Sequence, residues 1–331
     1  MSDPLPSWRG PNVPNPVRSE METLRQSLDN SISPKRATNR NLLIGTWNIK
    51  AFSSLTRDWT ASGDVSPKRD WRALWAITEV ISRFDVIAIQ EIKGDLRALR
   101  TMMKTLGDDW NFLLTDVTRG DSGNAERMGF VFDTRRVRLS GLAGELVIPE
   151  EGEGVIGAGA LKRQFARTPF AVSFRAGSET FILVTLHVDY GSSSAGREPE
   201  LEGIAQWLGE WATQSNAFGH NFIALGDFNI DRHGDKLWKA FTSTGLTVPA
   251  QLHSVKRSIF AQDNDPKLDK YYDQIAWFET GNRRRLKLDF VNAGGFDFVP
   301  HIYTETDFTN QTIQHRLSDH YPLWTEFNCS A

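Results

Sequence analysis

In the stretch NFIALGDFNID, residues 221–231, an apolar run from Phe222 to Leu225 passes directly into Gly226, Asp227, Phe228, Asn229 and Asp231. The same change of character recurs along the chain. Asn48 follows LLIGTW, Glu91 follows VIAIQ, and His187 follows ILVTL. Carboxylate and amide oxygens are the ligands that a hard divalent cation such as Mg²⁺ takes, usually a few of them with several waters. Taken singly, Gly-Asp or Asn after a strand is an ordinary turn. Two further stretches add acid and imidazole: YYDQIAWF sets Asp273 at the entrance of an apolar run, and LSDHYPLW sets Asp319 and His320 just before another. Alone, Asp273 reads as a cap and His320 as a structural histidine. Together with metal-ligating side chains they suit the activation of a water for attack on phosphorus.

Such residues need a rigid frame, and the sequence supplies one. From residue 41 onward, short β-rich runs recur: NLLIGTWNI, DVIAIQEI, MGFVFD, PFAVSF, TFILVTLHV, NFIALGDFNI, QIAWF and YPLWTEF. Several are apolar throughout, as strands covered on both faces are. Helical spacing of Trp71, Leu74, Trp75, Ile81 and Phe84, and of Leu201, Ile204, Ala205, Leu208 and Ala212, predicts two helices that pack on a sheet. No repeat or linker divides residues 41–331, so one large α/β domain is expected there. Residues 1–40, rich in proline and polar side chains, read as a flexible N-terminal arm. Within it, SEMETLRQSLDN has the pattern of a short helix capped by Ser19, with Met21, Leu24 and Leu28 on one side that could dock on the body; deleting residues 1–40 should leave the chemistry intact. The Gly-rich, acidic stretch at 144–165 reads as a surface loop or hairpin, Arg283–Arg285 as a solvated hairpin, and SIFAQDNDPKLDK as a loop without the pattern of a calcium site.

The ordered set TWNIK, IQEIK, NAERMGFVFD, FARTPF, TLHVDYG, LGDFNID, YYDQI and LSDHYPLW resembles the endonuclease/exonuclease/phosphatase superfamily, and within it the deoxyribonuclease I-like branch. The resemblance implies a four-layer α/β sandwich, two mostly antiparallel sheets packed face to face with helices outside and the site at one edge. It implies a primary metal site at Glu91, with Asn48 and Asp319 nearby. Asp227, with Asn229, falls on the other side of the scissile phosphate as a catalytic carboxylate and further metal ligand. His320 resembles the family's general base or phosphate-orienting imidazole, with Asp273 as its partner. His187 resembles the second imidazole, with Glu126 as its acid. Lys50, Lys93 and Arg167 fall where deoxyribonuclease I-like enzymes carry basic residues that reach DNA phosphates, although lysine in the first two places lacks the bidentate fork of arginine. Asn124 stands where that branch places an aromatic residue against the minor groove, which weakens the expectation of duplex groove reading.

The resemblance therefore implies a Mg²⁺-dependent phosphodiesterase, with Mn²⁺ as an alternative ion and Ca²⁺ as a structural one. Its expected substrate is nucleic acid, DNA in particular, cut by in-line attack of an activated water. A phosphatase or phospholipase of the same superfamily is the rival reading, and a catalytically silent binding module a more distant one. The net charge of −3 gives no global field to attract a polyanion, so nucleic-acid contact must be local. The lone Cys329 makes an intrachain disulfide impossible, and with no stretch of about 18 apolar residues the expected setting is the cytoplasm, away from membranes. Oligomeric state is not legible in the sequence.

Overall fold

The computed structural model describes residues 12–35, 41–118, 125–146, 167–191, 194–213, 221–261, 269–279 and 286–329. Asn124, Arg283–Arg285 and most of the Gly-rich stretch at 144–165 lie outside them. The apolar runs form two six-stranded sheets. One contains β1 (Asn41–Phe52), β2 (Val86–Ile92), β3 (Trp110–Leu114), β4 (Arg127–Asp133), β11 (Asp289–Gly295) and β12 (Leu323–Asn328), in the order β11-β12-β1-β2-β4-β3. The other contains β5 (Arg138–Glu145), β6 (Phe170–Ala176), β7 (Glu179–His187), β8 (Phe222–Asp227), β9 (Leu246–Thr247) and β10 (Asp273–Phe278), in the order β5-β6-β7-β8-β10-β9.

Each sheet has a single parallel pair at its centre, β1 with β2 and β7 with β8, and is otherwise antiparallel. This arrangement decides where the chemistry goes. Both parallel pairs carry their carboxyl ends, with Asn48, Glu91, His187 and Asp227, to one edge of the sandwich. The antiparallel neighbours β10, β12 and β4 begin at that same edge, bringing Asp273, the Asp319–His320 pair and Glu126.

Alternation along the strands builds the layers. Ile44, Val86, Ala88, Phe130 and Phe132 face the second sheet, where Phe130 meets Phe170 and Phe174 at ring separations of 5.8 and 5.7 Å. The intervening Leu43, Trp47, Ile87 and Ile89 face outward, under α2 (Trp71–Ile81). Asp70 caps α2, accepting from the Ala73 amide at 2.9 Å. On the far side α4 (Ser194–Thr213) buries Leu201, Ile204, Ala205, Leu208 and Ala212 against the second sheet, beside α5 (Lys236–Thr242). The result is the expected four-layer sandwich. No helix among the described residues is long and apolar enough to cross a membrane.

The N-terminal segment is more than a flexible arm: its helix is longer than the sequence pattern indicates, and it docks on the body through Met21, Leu24 and Leu28 as that pattern allowed. Helix α1 (Asn15–Ser31) starts at Pro14, with Pro16 in its first turn, where a missing amide hydrogen does no harm. Ser19 therefore lies inside the helix instead of capping it. Val17, Met21, Leu24 and Leu28 are buried in the cluster beneath α2. Burying them gives the helix a stabilisation its composition alone would not suggest. Glu20 is buried as well, and accepts from Arg72 Nε at 2.7 Å, while Arg72 also meets Glu305 at 2.7 Å.

Candidate active site

Local backbone irregularity aims two of the key side chains. By alternation Glu91 would point outward with Ile87 and Ile89. Instead the registers of β2 with both neighbours shift around it, and Glu91 adopts a left-handed φ of 62°. A bulge of this kind re-aims a side chain at the cost of local strain. Glu91 Oε2 then accepts from the Ala51 amide at 2.9 Å, and Oε1 accepts from Asn48 Nδ2 at 3.1 Å. In β8, Gly226 has φ 140° and lies against Leu186 of β7; a Cβ there would collide with the Leu186 carbonyl. Glycine is thus required for the two strands to close up just before Asp227. Asn229, also left-handed at φ 50°, donates from Nδ2 to the Val188 carbonyl at 2.6 Å and from its amide to Asp227 Oδ1 at 2.9 Å.

Asp227 Oδ2 is the centre of the site. It accepts from Asn48 Nδ2 at 2.9 Å and has an imidazole on either side, His187 Nε2 at 3.6 Å and His320 Nε2 at 3.9 Å. Each imidazole is backed by its own acid: His187 Nδ1 lies 3.3 Å from Glu126 Oε2, and His320 Nδ1 lies 2.7 Å from Asp273 Oδ2. The two dyads, each with one member from either sheet, thus converge on one carboxylate. Burial opposes charge on His320, but the carboxylates of Asp273, Asp227 and Asp319 outweigh it and lift the imidazole well above its ordinary range. Asp273 is fully buried, and its carboxyl is itself raised by that burial. The pair therefore holds a proton tightly, and the surrounding acids place it on the ring.

The three basic residues also gather here, each bonded to a site carboxylate. Lys50 Nζ meets Asp319 Oδ2 at 2.9 Å, Lys93 Nζ meets Glu126 Oε1 at 2.8 Å, and Arg167 Nε meets Glu126 Oε2 at 2.8 Å. Arg167 is buried on the cleft wall, while the two lysines are about one quarter exposed. Burial pushes the Glu126 carboxyl up, yet His187, Arg167 and Lys93 together hold it down at about 2. Asp319 follows the same logic: burial raises it, and His320 and Lys50 hold it below its ordinary value.

Two groupings could take a cation. Ligand atoms of Asp227, Asp273 and His320 lie within 4.8 Å of one another. In this set the carboxylates favour a proton on His320, which the ring would have to give up before it could act as a ligand. The second grouping is that expected from the sequence. Asn48 turns its amide nitrogen to Glu91 and Asp227, which leaves its Oδ1 buried without a donor. An orphaned amide oxygen beside the carboxylates of Glu91 and Asp227 is the donor chemistry of a hard divalent cation, and Asp319, on the same cleft, adds a further carboxylate.

The cleft has a volume of about 470 Å³. Glu91, Glu126, Arg167, His187, Asp227, Asn229, Asp319 and His320 line it, so sequence reasoning placed most of its wall. Asp189, Tyr190 and Tyr272 line it too and were not anticipated. The signal was present: all three sit inside stretches already singled out, two and three residues after His187 or immediately before Asp273. Two supporting residues were also missed. Ser318 Oγ donates to the Asn48 carbonyl at 2.6 Å and accepts from the His320 amide at 3.0 Å, tying β1 to the loop that carries His320. Buried Arg69 donates to the carbonyls of Lys50, Ala51, Arg316 and Leu317 at 2.7 to 3.0 Å, clamping the strand that bears Lys50 to the loop that bears Asp319.

Comparison with known proteins identifies the family. A model of the endonuclease/exonuclease/phosphatase family matches residues 45–320. A deoxyribonuclease of Thioalkalivibrio sp. (strain K90mix) is 23% identical over 292 residues, 87% of this chain and 71% of the relative. Among solved structures, the mannosyl-6-phosphatase Bt3783 of Bacteroides thetaiotaomicron superposes with a TM-score of 0.56 at 15% identity, over 86% of this chain and 99% of the other. Danio rerio TDP2 complexed with single-strand DNA product does so with a TM-score of 0.53 at 14% identity, over 87% and 99%. At these identities the structural likenesses establish the fold.

Proposed function

The chain belongs to the endonuclease/exonuclease/phosphatase family, which acts on phosphoester bonds, and from that premise we propose that it is a divalent-metal-dependent phosphodiesterase, and specifically a nuclease acting on DNA. The observation that carries this reading is the position of Asp227 Oδ2 between two acid-backed imidazoles. Asp227 is the group placed to take a proton from the attacking water. His320, on which the neighbouring carboxylates favour a proton, is suited to donate from Nε2 to a phosphate oxygen and to stabilise the charge that builds there, which supports the phosphate-orienting role over the general base. Asp273 fixes the tautomer and orientation of His320, as Glu126 does for His187. Asn229 holds the Asp227 carboxylate in place through its backbone amide. Glu91, the Asn48 oxygen and Asp319, with Asp227 as a further ligand, would hold the cation, which when bound would offset negative charge on the phosphate oxygens. The relative called a deoxyribonuclease supports a DNA substrate.

One observation favours a second reading, hydrolysis of a small phosphomonoester. Lys50, Lys93 and Arg167 are paired with carboxylates, so the cleft presents less free positive charge than a polyanion would use. A single panel separates the two: plasmid, single-stranded DNA, RNA, inositol phosphates and mannose 6-phosphate, each with Mg²⁺ and with excess chelator. The expected result is Mg²⁺-dependent cleavage of DNA, reduced at least about 100-fold in Glu91→Gln with the circular-dichroism spectrum unchanged. Undiminished cleavage in chelator would remove the metal from the reading. Turnover confined to the small substrates would establish the phosphatase.

A further inference from the structure

The cleft is lined almost wholly by charged and amide side chains, with two exceptions, Tyr190 and Tyr272. Tyr190 is 51% exposed and lies on the cleft wall. It is not loose. The guanidinium of Arg197 lies 4.7 Å from its ring centre, and Arg197 is buried, bonded to the Asn229 carbonyl at 3.0 Å and to Asp231 Oδ2 at 2.6 Å. The same loop therefore fixes both the Asn229 that supports Asp227 and the platform beneath Tyr190. Tyr272 stands 6.3 Å from Tyr190 with the ring planes at 75°, so the pair makes two walls of a corner. The Tyr272 ring in turn lies 5.3 Å from that of His320. Aromatic walls are thereby set within one ring of the imidazole that faces Asp227.

An aromatic corner offers a phosphate only its two tyrosine hydroxyls, beside Arg167 and the two imidazoles already on the cleft, and its ring faces offer a sugar hydroxyl no more than the acids and amides do. It does suit a flat π-system, and every nucleobase has one; stacking on a protein aromatic is tolerant of base identity. A base within duplex DNA is already stacked and paired and must be extruded before it can enter such a corner, which a single strand or a frayed end does not require. We propose that Tyr190 and Tyr272 seat an unstacked nucleobase adjacent to the reacting phosphate, making the site selective for nucleotides whose base is free over duplex and over sugar phosphates. The inference rests on the phosphodiesterase reading and adds to it the recognition of the neighbouring base.

The test uses the full chain with Mg²⁺ and four substrates: a single-stranded oligonucleotide, the same oligonucleotide with abasic tetrahydrofuran units along its length, the corresponding duplex, and a nucleoside 5′-monophosphate. The expected result is a base-over-abasic preference in kcat/KM of roughly 10- to 100-fold, the size that stacking of one base supplies, expressed mainly in KM. Tyr190→Ala should remove most of that preference and Tyr190→Phe should retain it, because the ring and not the hydroxyl makes the seat. Hydrolysis of the monophosphate with the same dependence on Tyr190 would place the seat in recognition of a small nucleotide, still as a base site. Equal cleavage of base-bearing and abasic strands by the unmodified protein would overturn the base seat while leaving the phosphodiesterase intact. A Tyr190→Ala variant with the full preference would do the same. No cleavage of any of these substrates, alongside turnover of sugar phosphates, would overturn both.

Discussion

Replacing Glu126 by Gln tests whether this acid is the hub of the His187 side of the cleft. Glu126 is 1% exposed and faces Lys93, Arg167 and His187. Its carboxyl is held at about 2 against an ordinary 4.5. At roughly 1.4 kcal/mol per pH unit, that difference is worth about 3 kcal/mol to the folded state. The folded pKa is the lower one, so this contribution is complete above the unfolded value near 4.5 and is lost as pH falls toward about 2. A neutral Gln cannot supply it at any pH, and Arg167 is left buried with its charge less well matched. Urea denaturation of the two proteins at pH 6, 5, 4 and 3 should therefore show the variant less stable by about 3 kcal/mol at pH 6. The gap should narrow by about 2 kcal/mol by pH 3, as the carboxyl of the unmodified protein loses its advantage. Because all other titrating groups are shared, they largely cancel in the comparison. A gap that stays constant across this range, or one below about 0.5 kcal/mol at pH 6, would refute the assignment of Glu126 as a charged hub.

Two other outcomes follow from the packing. Asp273→Asn keeps the His320 ring but removes the buried carboxylate 2.7 Å from Nδ1 that holds its proton and tautomer, so turnover should fall by roughly 10²- to 10⁴-fold with KM little changed; steady-state kinetics that match the unmodified protein would dismiss the dyad. Deleting residues 1–35 removes Val17, Met21, Leu24 and Leu28 from beneath α2, at roughly 1.5 to 3 kcal/mol each, and takes Glu20 from the buried Arg72. That loss rivals the entire stability of a typical domain, so the truncated chain should melt far below the full one or fail to fold, and a truncation with an unchanged melting temperature would show that α1 contributes nothing.

What could be read from the sequence divides along a physical line. All eight apolar runs named from the sequence became interior strands: β12, β1, β2 and β4 in one sheet, β6, β7, β8 and β10 in the other. The four strands that escaped notice, β3, β5, β9 and β11, are the four edges. An interior strand buried on both faces must be apolar throughout and so announces itself. An edge such as β5 or β11 is at most partly covered, carries little hydrophobic pattern, and becomes a strand because a neighbour offers it hydrogen bonds. The helices divide the same way: α2 and α4, long and strongly packed, were legible, whereas α3 (Arg97–Leu106) and the short α5 were not.

The site follows a related rule. Residue types at strand ends are local facts, so Asn48, Glu91, His187, Asp227, Asp273 and His320 could be named before any contact was known, while the pairing of His320 with Asp273 and of His187 with Glu126 was implied by the family resemblance. Their mutual geometry depends on strand order. Only the central parallel pairs in each sheet, with antiparallel partners beginning at the same edge, bring six separate segments to one carboxylate. Tertiary structure also decided where the positive charges go, since an ion pair such as Lys50 with Asp319 spans 269 residues of sequence. It turned Pro14–Ser31 from an arm into part of the core by giving its apolar face a surface to cover. It raised Tyr190 and Tyr272 from two polar-aromatic residues beside a motif to the walls of a cleft, because what a side chain faces depends on the pleat, the bulge and the neighbouring sheet, none of which a single segment specifies.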